Sequence, residues 1–319
     1  MERSKSLDHV REVIRTSHLS YSTEKSYIDW IYRFLIFHGN RDPGEMGGKE
    51  IREFLTDLAI KRKVSPSTQN QALNALVFLY KKVLKIQLHD LDFKNSRIEK
   101  HLPVIFSREE VNRVLSHLRG EFHLMASLLY GSGLRLGECL ELRIKNIDFE
   151  LDAIIISDNK GENDRSTLLP HLLIPLLKRQ IEKARIKFEE NMMEPEFEGT
   201  YISEALETKY PYVPKDEAWQ YIFPSRNLRA DPRSGKLKQY FHHESYLQKA
   251  VKDAIKKAQI TKNASCHSFR HSFAVHLLED GYDIHTIQKL LGHKNVRTTM
   301  IYNHLLGNNR FNVRSPLDR

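Results

Sequence analysis

Apolar residues recur at helical spacing along most of this chain, and that period limits it to a mainly α architecture. Near the N-terminus Leu7, Val10, Val13 and Ile14 share one face. Ser22 is placed to cap a helix that buries Ile28, Ile31 and Leu35 and stops at Gly39. Ile51, Phe54, Leu55 and Leu58 mark a third helix. A fourth is capped by Ser65, opens on Pro66 and carries Leu73, Leu76, Val77, Tyr80 and Leu84 as its stripe. These helices make a bundle over residues 1–92. Residues 93–106 lose the period, contain a proline and read as a linker. Ser107 and Glu110 then supply a capping box, and helices resume in a second domain, residues 107–319.

Two stretches of the second domain depart from the helical pattern. Residues 153–169 (AIIISDNKGENDRSTLL) place a β-branched run, a turn with Asn159 and Gly161, and a second short run, which is the pattern of a β-hairpin. The expected fold class is therefore α+β: mainly α, with a small antiparallel sheet in the second domain. Residues of about 190–222 fit neither pattern. They are acidic, rich in aromatics and proline, and include Tyr201, Tyr210, Tyr212, Trp219 and Tyr221.

A length of 319 residues makes two domains the default. Lys and Arg number 50 against 41 Asp and Glu, a net charge of +9, which suits a polyanionic partner. On the bundle, Lys25 and Lys63, with Thr68 and Asn70 near a helix start, are candidate phosphate contacts. Cys139 and Cys266 both fall in helical stretches, which argues against a disulfide framework. The N-terminus has no apolar signal core and no stretch reaches the ~20 apolar residues of a membrane span, so a soluble, cytoplasmic protein of a reducing compartment is expected.

Cleaving a phosphodiester requires charge stabilisation on the non-bridging oxygens, an activated nucleophile and a proton for the leaving oxygen. Guanidinium forks grip phosphate bidentately, the role open to Arg135 in GSGLRLGECLEL and Arg270 in CHSFRHSFAVHLL. Arg135 follows Gly131 and Gly133 at a tight turn opening a helix, with Glu138 placed to fix its guanidinium. His267, Arg270 and His271 share one side of a helix; His271 reads as a packing residue. The His267/His271 spacing also suits a metal, but no third ligand stands in a recognisable pattern, and no metal or cofactor is expected. Lys160, at the hairpin tip, suits a general acid. His293, in KLLGHKNVRTTM, suits a donor to a phosphate oxygen. Tyr302 is the candidate nucleophile; a phenol of pKa about 10 needs a base, and His267 is the candidate.

The combination resembles the tyrosine recombinases over essentially the whole chain: Arg in a G-x-G-L-R-x-x-E-x-x-x-L helix, a hairpin Lys, H-x-x-R-H-x-F-A, L-L-G-H and a tyrosine nine residues later. The resemblance implies a helical, SAM-like core-binding domain followed by a catalytic domain. It implies Arg135, Lys160, His267, Arg270, His293 and Tyr302 as active-site residues, with Glu138 in support. It also implies a homotetramer on two DNA sites, which the tail 303–319 would link. Asn303 departs from the threonine common after the tyrosine. The stretches ALETKYP, EAWQYIFPS and DPRSG resemble the integron integrases, a subgroup that moves gene cassettes and carries an added helical element. Those enzymes recognise folded single-stranded sites by extruded bases, and Trp219, Pro232, His242 and His243 are the candidate platforms here. A type IB topoisomerase uses similar chemistry but rejoins the same strand. DIHTIQKLLGHKNVRTTMIYNHL also resembles a helix-turn-helix, as in a non-catalytic regulator.

Overall fold

The computed structural model describes residues 2–17, 19, 21–88, 102–157, 164–232 and 234–302. The chain divides into two compact units, residues 1–101 and 102–319.

The first unit is helical: α1 (Glu2–Thr16), α2 (Tyr21–Phe37), α3 (Gly48–Ile60) and α4 (Pro66–Phe78), the last running into a wider turn, Leu79–Val83. Ile14, Ile31, Phe34, Ile51, Phe54, Leu55, Leu76 and Tyr80 meet in one core, as their helical spacing requires. Ser65 caps α4, its Oγ accepting from the Thr68 N–H at 3.3 Å. α2 begins at Tyr21, one residue ahead of the expected cap Ser22.

The second unit opens with the capping box: the Glu110 N–H donates to Ser107 Oγ (3.2 Å) and the Ser107 N–H to Glu110 Oε2 (2.7 Å). There follow α5 (Arg108–Ser116), α6 (Gly120–Gly131) and α7 (Leu136–Leu140), then strands β1 (Ile147–Asp148), β2 (Ala153–Ile156) and β3 (Arg165–Leu168). The three strands form the expected antiparallel sheet, in order, with Ile154 opposite Thr167 and Ile156 opposite Arg165. The period of two turns Thr167 inward with Ile154, while Ile155 and Leu168 are exposed. α8 (Ile174–Met192) leads into β4 (Phe197–Thr200), α9 (Glu204–Lys209), β5 (Arg229–Ala230) and β6 (Leu237–Gln239). The chain ends, within the described residues, in α10 (Ser245–Lys257), α11 (Cys266–Glu279), α12 (Ile284–Leu291) and α13 (Val296–Met300).

The insert departs from expectation. It is only partly helical, since β4 pairs in parallel with β6, which pairs antiparallel with β5, giving a second three-stranded sheet. Buried polar groups cross-link it alongside the buried Phe197, Ile202, Val213 and Tyr221. Lys238, within β6, is buried and ion-paired to Glu207 of α9 at 2.5 Å and Asp231 at 3.8 Å. Gln239 accepts from Asn191 Nδ2 (2.9 Å) and donates to the Ser225 carbonyl (2.9 Å), tying the end of α8 to the sheet.

α11 is buried on nearly every side, with Cys266, Phe269, Phe273, Ala274, Val275 and Leu278 all in core contacts. Ser272 of α11 accepts the Phe106 N–H at 2.8 Å. Cys139 and Cys266 are free and buried. Among the described residues no helix is long and apolar enough to cross a membrane.

Candidate active site

A cleft of about 1670 Å³ opens in the second unit, walled by α7, the first sheet, the insert and the α12–α13 turn. Arg135 stands at its edge as the N-cap residue of α7, which fixes its backbone as extended (φ −72°, ψ 153°). Gly133, two residues before, sits at φ +62°, and a Cβ there would lie 2.5 Å from the Phe273 ring. Only glycine allows α11 to approach this turn. The close approach lets Arg270, on α11, donate to the Gly133 carbonyl.

Glu138 organises the cations. Its Oε2 accepts the Arg135 backbone N–H (2.7 Å), and its Oε1 accepts from Arg135 Nη1 (2.6 Å). Arg165, at the start of β3, adds a bidentate pair, Nη1 to Oε1 at 2.8 Å and Nη2 to Oε2 at 2.6 Å. Arg165 Nε also donates to the Leu290 carbonyl at 3.1 Å, linking the hairpin to the end of α12. Burial opposes the charge on Glu138, but the Arg165 hydrogen bonds and charge, with Arg135, overcome it and hold its pKa at about 2. Arg165 was not singled out in the sequence. Its signal was faint: a charge in the inward register of a strand, two residues from the buried Thr167.

Arg270 is only 4% exposed. Its Nη2 donates to the Leu291 carbonyl at 2.6 Å and lies 3.3 Å from His293 Nε2. Burial, then the charge of Arg135, lowers its pKa to about 10, which leaves it charged at neutral pH. Gly292 closes α12 in the left-handed conformation (φ 62°), and a Cβ there would lie 2.5 Å from Arg165 Cδ. His293 follows it, with Nδ1 2.9 Å from Thr299 Oγ1. Burial, Arg270 and Arg135 depress the His293 pKa to about 4. Its neutral ring lies nearly parallel to that of Tyr302, at 6.4 Å between centroids and 19° between planes.

Tyr302 is 1% exposed, packed with Phe273, Ile287 and Leu291. Burial raises its pKa, and the charges of Arg270 and Arg135 oppose that rise. The sequence expectation paired Tyr302 with His267 and left His271 to packing; the structure puts His271 against Tyr302. His267 is exposed on the cleft wall, whereas His271 Nδ1 lies 2.9 Å from the Tyr302 hydroxyl. The two histidines are four residues apart on α11, so periodicity placed both on one side. Only the path of the chain after α13 decides which of them Tyr302 meets.

The structure thus brings Arg135, Glu138, His267 and His293 to the cleft, with Arg270 and Tyr302 buried beside them. Lys160 lies outside the described residues, as do Asn303 and the tail 303–319. Of the four base-platform candidates, only Trp219 lines the cleft. Its ring is covered by Lys145, whose Nζ is 2.9 Å from the centroid, and Arg143 stands 5.7 Å away. Arg143 also donates to the carbonyls of Trp219 (2.5 Å) and Tyr201 (2.9 Å), so it anchors the insert. His242 instead stacks on Tyr246 at 3.8 Å and approaches Glu121 at 3.7 Å. His243 accepts from the Ser245 N–H at 3.2 Å, and Pro232 is exposed between β5 and β6. In the first unit Lys25 and Lys63 are exposed and Thr68 and Asn70 partly buried. Among the described residues no cluster of three or more His, Cys, Asp or Glu is placed to hold a metal ion.

A buried tyrosine beside a stacked histidine, with a carboxylate-ordered set of arginines, offers the kinds of group that chemistry on phosphate esters uses. Comparison with known proteins gives the class. Residues 105–308 match the phage integrase family, and residues 7–90 match the phage integrase N-terminal SAM-like domain. An integrase/recombinase of Escherichia coli is 44% identical over 315 residues, covering 98% of this chain and 93% of the relative. Tyrosine recombinase XerA of Thermococcus onnurineus is 31% identical over 289 residues, covering 89% and 84%. In fold, the chain is similar to the XerH recombinase bound to its difH substrate (TM-score 0.62, 19% identity, covering 96% and 83%). It is likewise similar to a lambda integrase dimer bound to a core site (TM-score 0.61, 14% identity, covering 96% of each). The chain belongs to the phage integrase family of tyrosine recombinases. Its class of activity is site-specific DNA strand transfer.

Proposed function

We propose that this recombinase is of the integron integrase type, that it integrates and excises gene cassettes, and that it works through a 3′-phosphotyrosyl intermediate without a metal. One observation carries the chemistry: Arg270, His293 and Tyr302 are contiguous, the arginine 3.3 Å from His293 and the His293 ring stacked on the tyrosine. A phosphate seated against His293 and the exposed edge of Arg135 has cationic and neutral donors for its non-bridging oxygens. The Tyr302 oxygen forms its bond to phosphorus as the bond to the 5′-oxygen breaks. Lys160 gives the departing 5′-oxygen its proton. A 5′-hydroxyl of a second strand then attacks the phosphotyrosine, giving its proton to the Lys160 amine left neutral by the first step, and the Tyr302 O–P bond breaks to release Tyr302. The bond energy stays on the protein, so no ATP is needed.

The finer reading rests on the insert. Trp219 stands on the wall of the same cleft as Arg135 and His293, where an unpaired base reaches it as the backbone reaches the arginines. Folded single-stranded sites supply such bases. The homotetramer, with tails exchanged between protomers on two DNA sites, belongs to the same proposal, as do DNA contacts by Lys25, Lys63, Thr68 and Asn70.

Tyr302→Phe is the test. It should bind a cassette-site hairpin normally and form no covalent adduct. A denaturant-resistant protein–DNA complex trapped with this variant would remove Tyr302 from the nucleophile role.

A further inference from the structure

We propose that His271, rather than His267, is the catalytic residue that takes the proton from Tyr302 during cleavage and returns it during rejoining. The inference rests on Tyr302 as the nucleophile and adds its base.

The geometry is direct. His271 Nδ1 lies 2.9 Å from the Tyr302 hydroxyl, the reach a general base needs. The ring centroids are 5.7 Å apart and the planes tilted by 53°, so the contact runs through the ring edge, where the nitrogen lone pair lies. In this arrangement the hydroxyl donates to Nδ1 and the ring carries its proton on Nε2. His271 is one residue beyond Arg270 on α11, about 100° further round the helix. From His267, exposed on the cleft wall, it lies one turn and about 6 Å further along the same side of α11, beside the buried tyrosine.

The surroundings keep His271 an acceptor. Burial first, then His267 and Arg270 on its own helix, depress its pKa to about 4, so the ring is neutral at physiological pH. From the other elements, Tyr302 bonds it and His293 lies within its field, and Arg135 acts on both of those neighbours. The same burial that disfavours imidazolium raises the Tyr302 pKa, and a phenol so placed attacks poorly without a base. The step balances. As the Tyr302 O–P bond forms and the P–O5′ bond breaks, the phenolic proton moves to Nδ1, and the phosphate offsets the imidazolium charge. When a 5′-hydroxyl breaks the Tyr302 O–P bond, Nδ1 returns the proton to the phenolate.

The experiment follows covalent adduct formation by the full chain on a nicked hairpin substrate, for the wild type and His271→Ala, His271→Gln and His267→Gln, between pH 6 and 9. Thermal melting and hairpin binding establish that each variant is folded. The His271 variants should lose roughly 100-fold or more at pH 7, in line with a general base. Their rates should climb with pH as hydroxide replaces the imidazole, about tenfold per unit, while the wild type stays flat. A substrate with a bridging 5′-phosphorothiolate, whose leaving group needs no proton, should not rescue them. Wild-type rates in both folded His271 variants overturn the proposal. So does a loss that is constant across pH, which marks a structural role, or a steep pH dependence seen in His267→Gln alone. If His271→Ala does not fold, the volume-preserving His271→Gln decides by the same readings. An adduct formed by Tyr302→Phe would instead remove the nucleophile, a distinguishable failure.

Discussion

Glu138 faces more cationic charge than its own can neutralise. Arg135 and Arg165 both bond its oxygens, and Arg270 Nη1 stands 3.8 Å from Oε2. Separating one partner of such a buried cluster is more costly than removing the pair, because the survivor keeps its desolvation penalty. Glu138→Leu alone, which leaves Arg165 and the buried Arg270 without their carboxylate, should therefore destabilise the protein by about 3–5 kcal/mol. Adding Arg165→Met to Glu138→Leu, which removes one of the stranded cations, should recover part of that loss in thermal melting. Adduct formation should stay low in the double variant, since Arg135 then has no partner to aim it. Recovery of both stability and activity would show that Glu138 is only structural. Glu138 was legible in the sequence because i,i+3 spacing on a helix start is a local rule. Arg165 and His271 were not, since their partners lie across the fold, 27 and 31 residues away.

At the level of elements, the first sheet was readable and the second was not. AIII and RSTL carry a β-branched run and an alternating partner around a turn, a pairing of sequence neighbours. β4 (FEGT), β5 (RA) and β6 (LKQ) are too short to show a period, and β4 pairs in parallel with a strand far along the chain. Their core is polar: Lys238, Gln239 and Asn191 are buried where a reader of hydropathy expects surface. That sheet and the Arg143 hydrogen bonds hold Trp219 on the cleft wall, with Lys145 over one face. A stacked base has to use the other face or displace the ammonium. Stacking is worth about 1–3 kcal/mol per base, so Trp219→Ala should weaken binding to a hairpin with unpaired bases by roughly 5- to 150-fold. Binding to a fully paired duplex should change far less. Equal losses on the two probes would make Trp219 a residue that packs the insert.

Across the whole molecule, the two-unit division was visible as the loss of helical period before the Ser107 capping box, and the net charge of +9 as an excess of Lys and Arg. What composition cannot show is where that charge gathers. The cleft is lined by Arg135, Arg143, Lys145, Arg165, Lys209, Lys289 and Lys294, against Glu138, Glu141, Asp164 and Glu244. With Glu138 held ionised by its arginines, the excess positive charge faces the cleft, the kind of charge that a metal-dependent enzyme draws from a cation held by carboxylates. The fixed guanidinium groups need no reorganisation when charge develops on the phosphate oxygens. Strand transfer between two cassette-site hairpins should therefore persist at an unchanged rate in excess EDTA, measured by the yield of recombinant strands over time. Loss of the product in chelator, with return on adding Mg²⁺, would mean that the arginines hold the substrate while a metal carries the charge of the transition state.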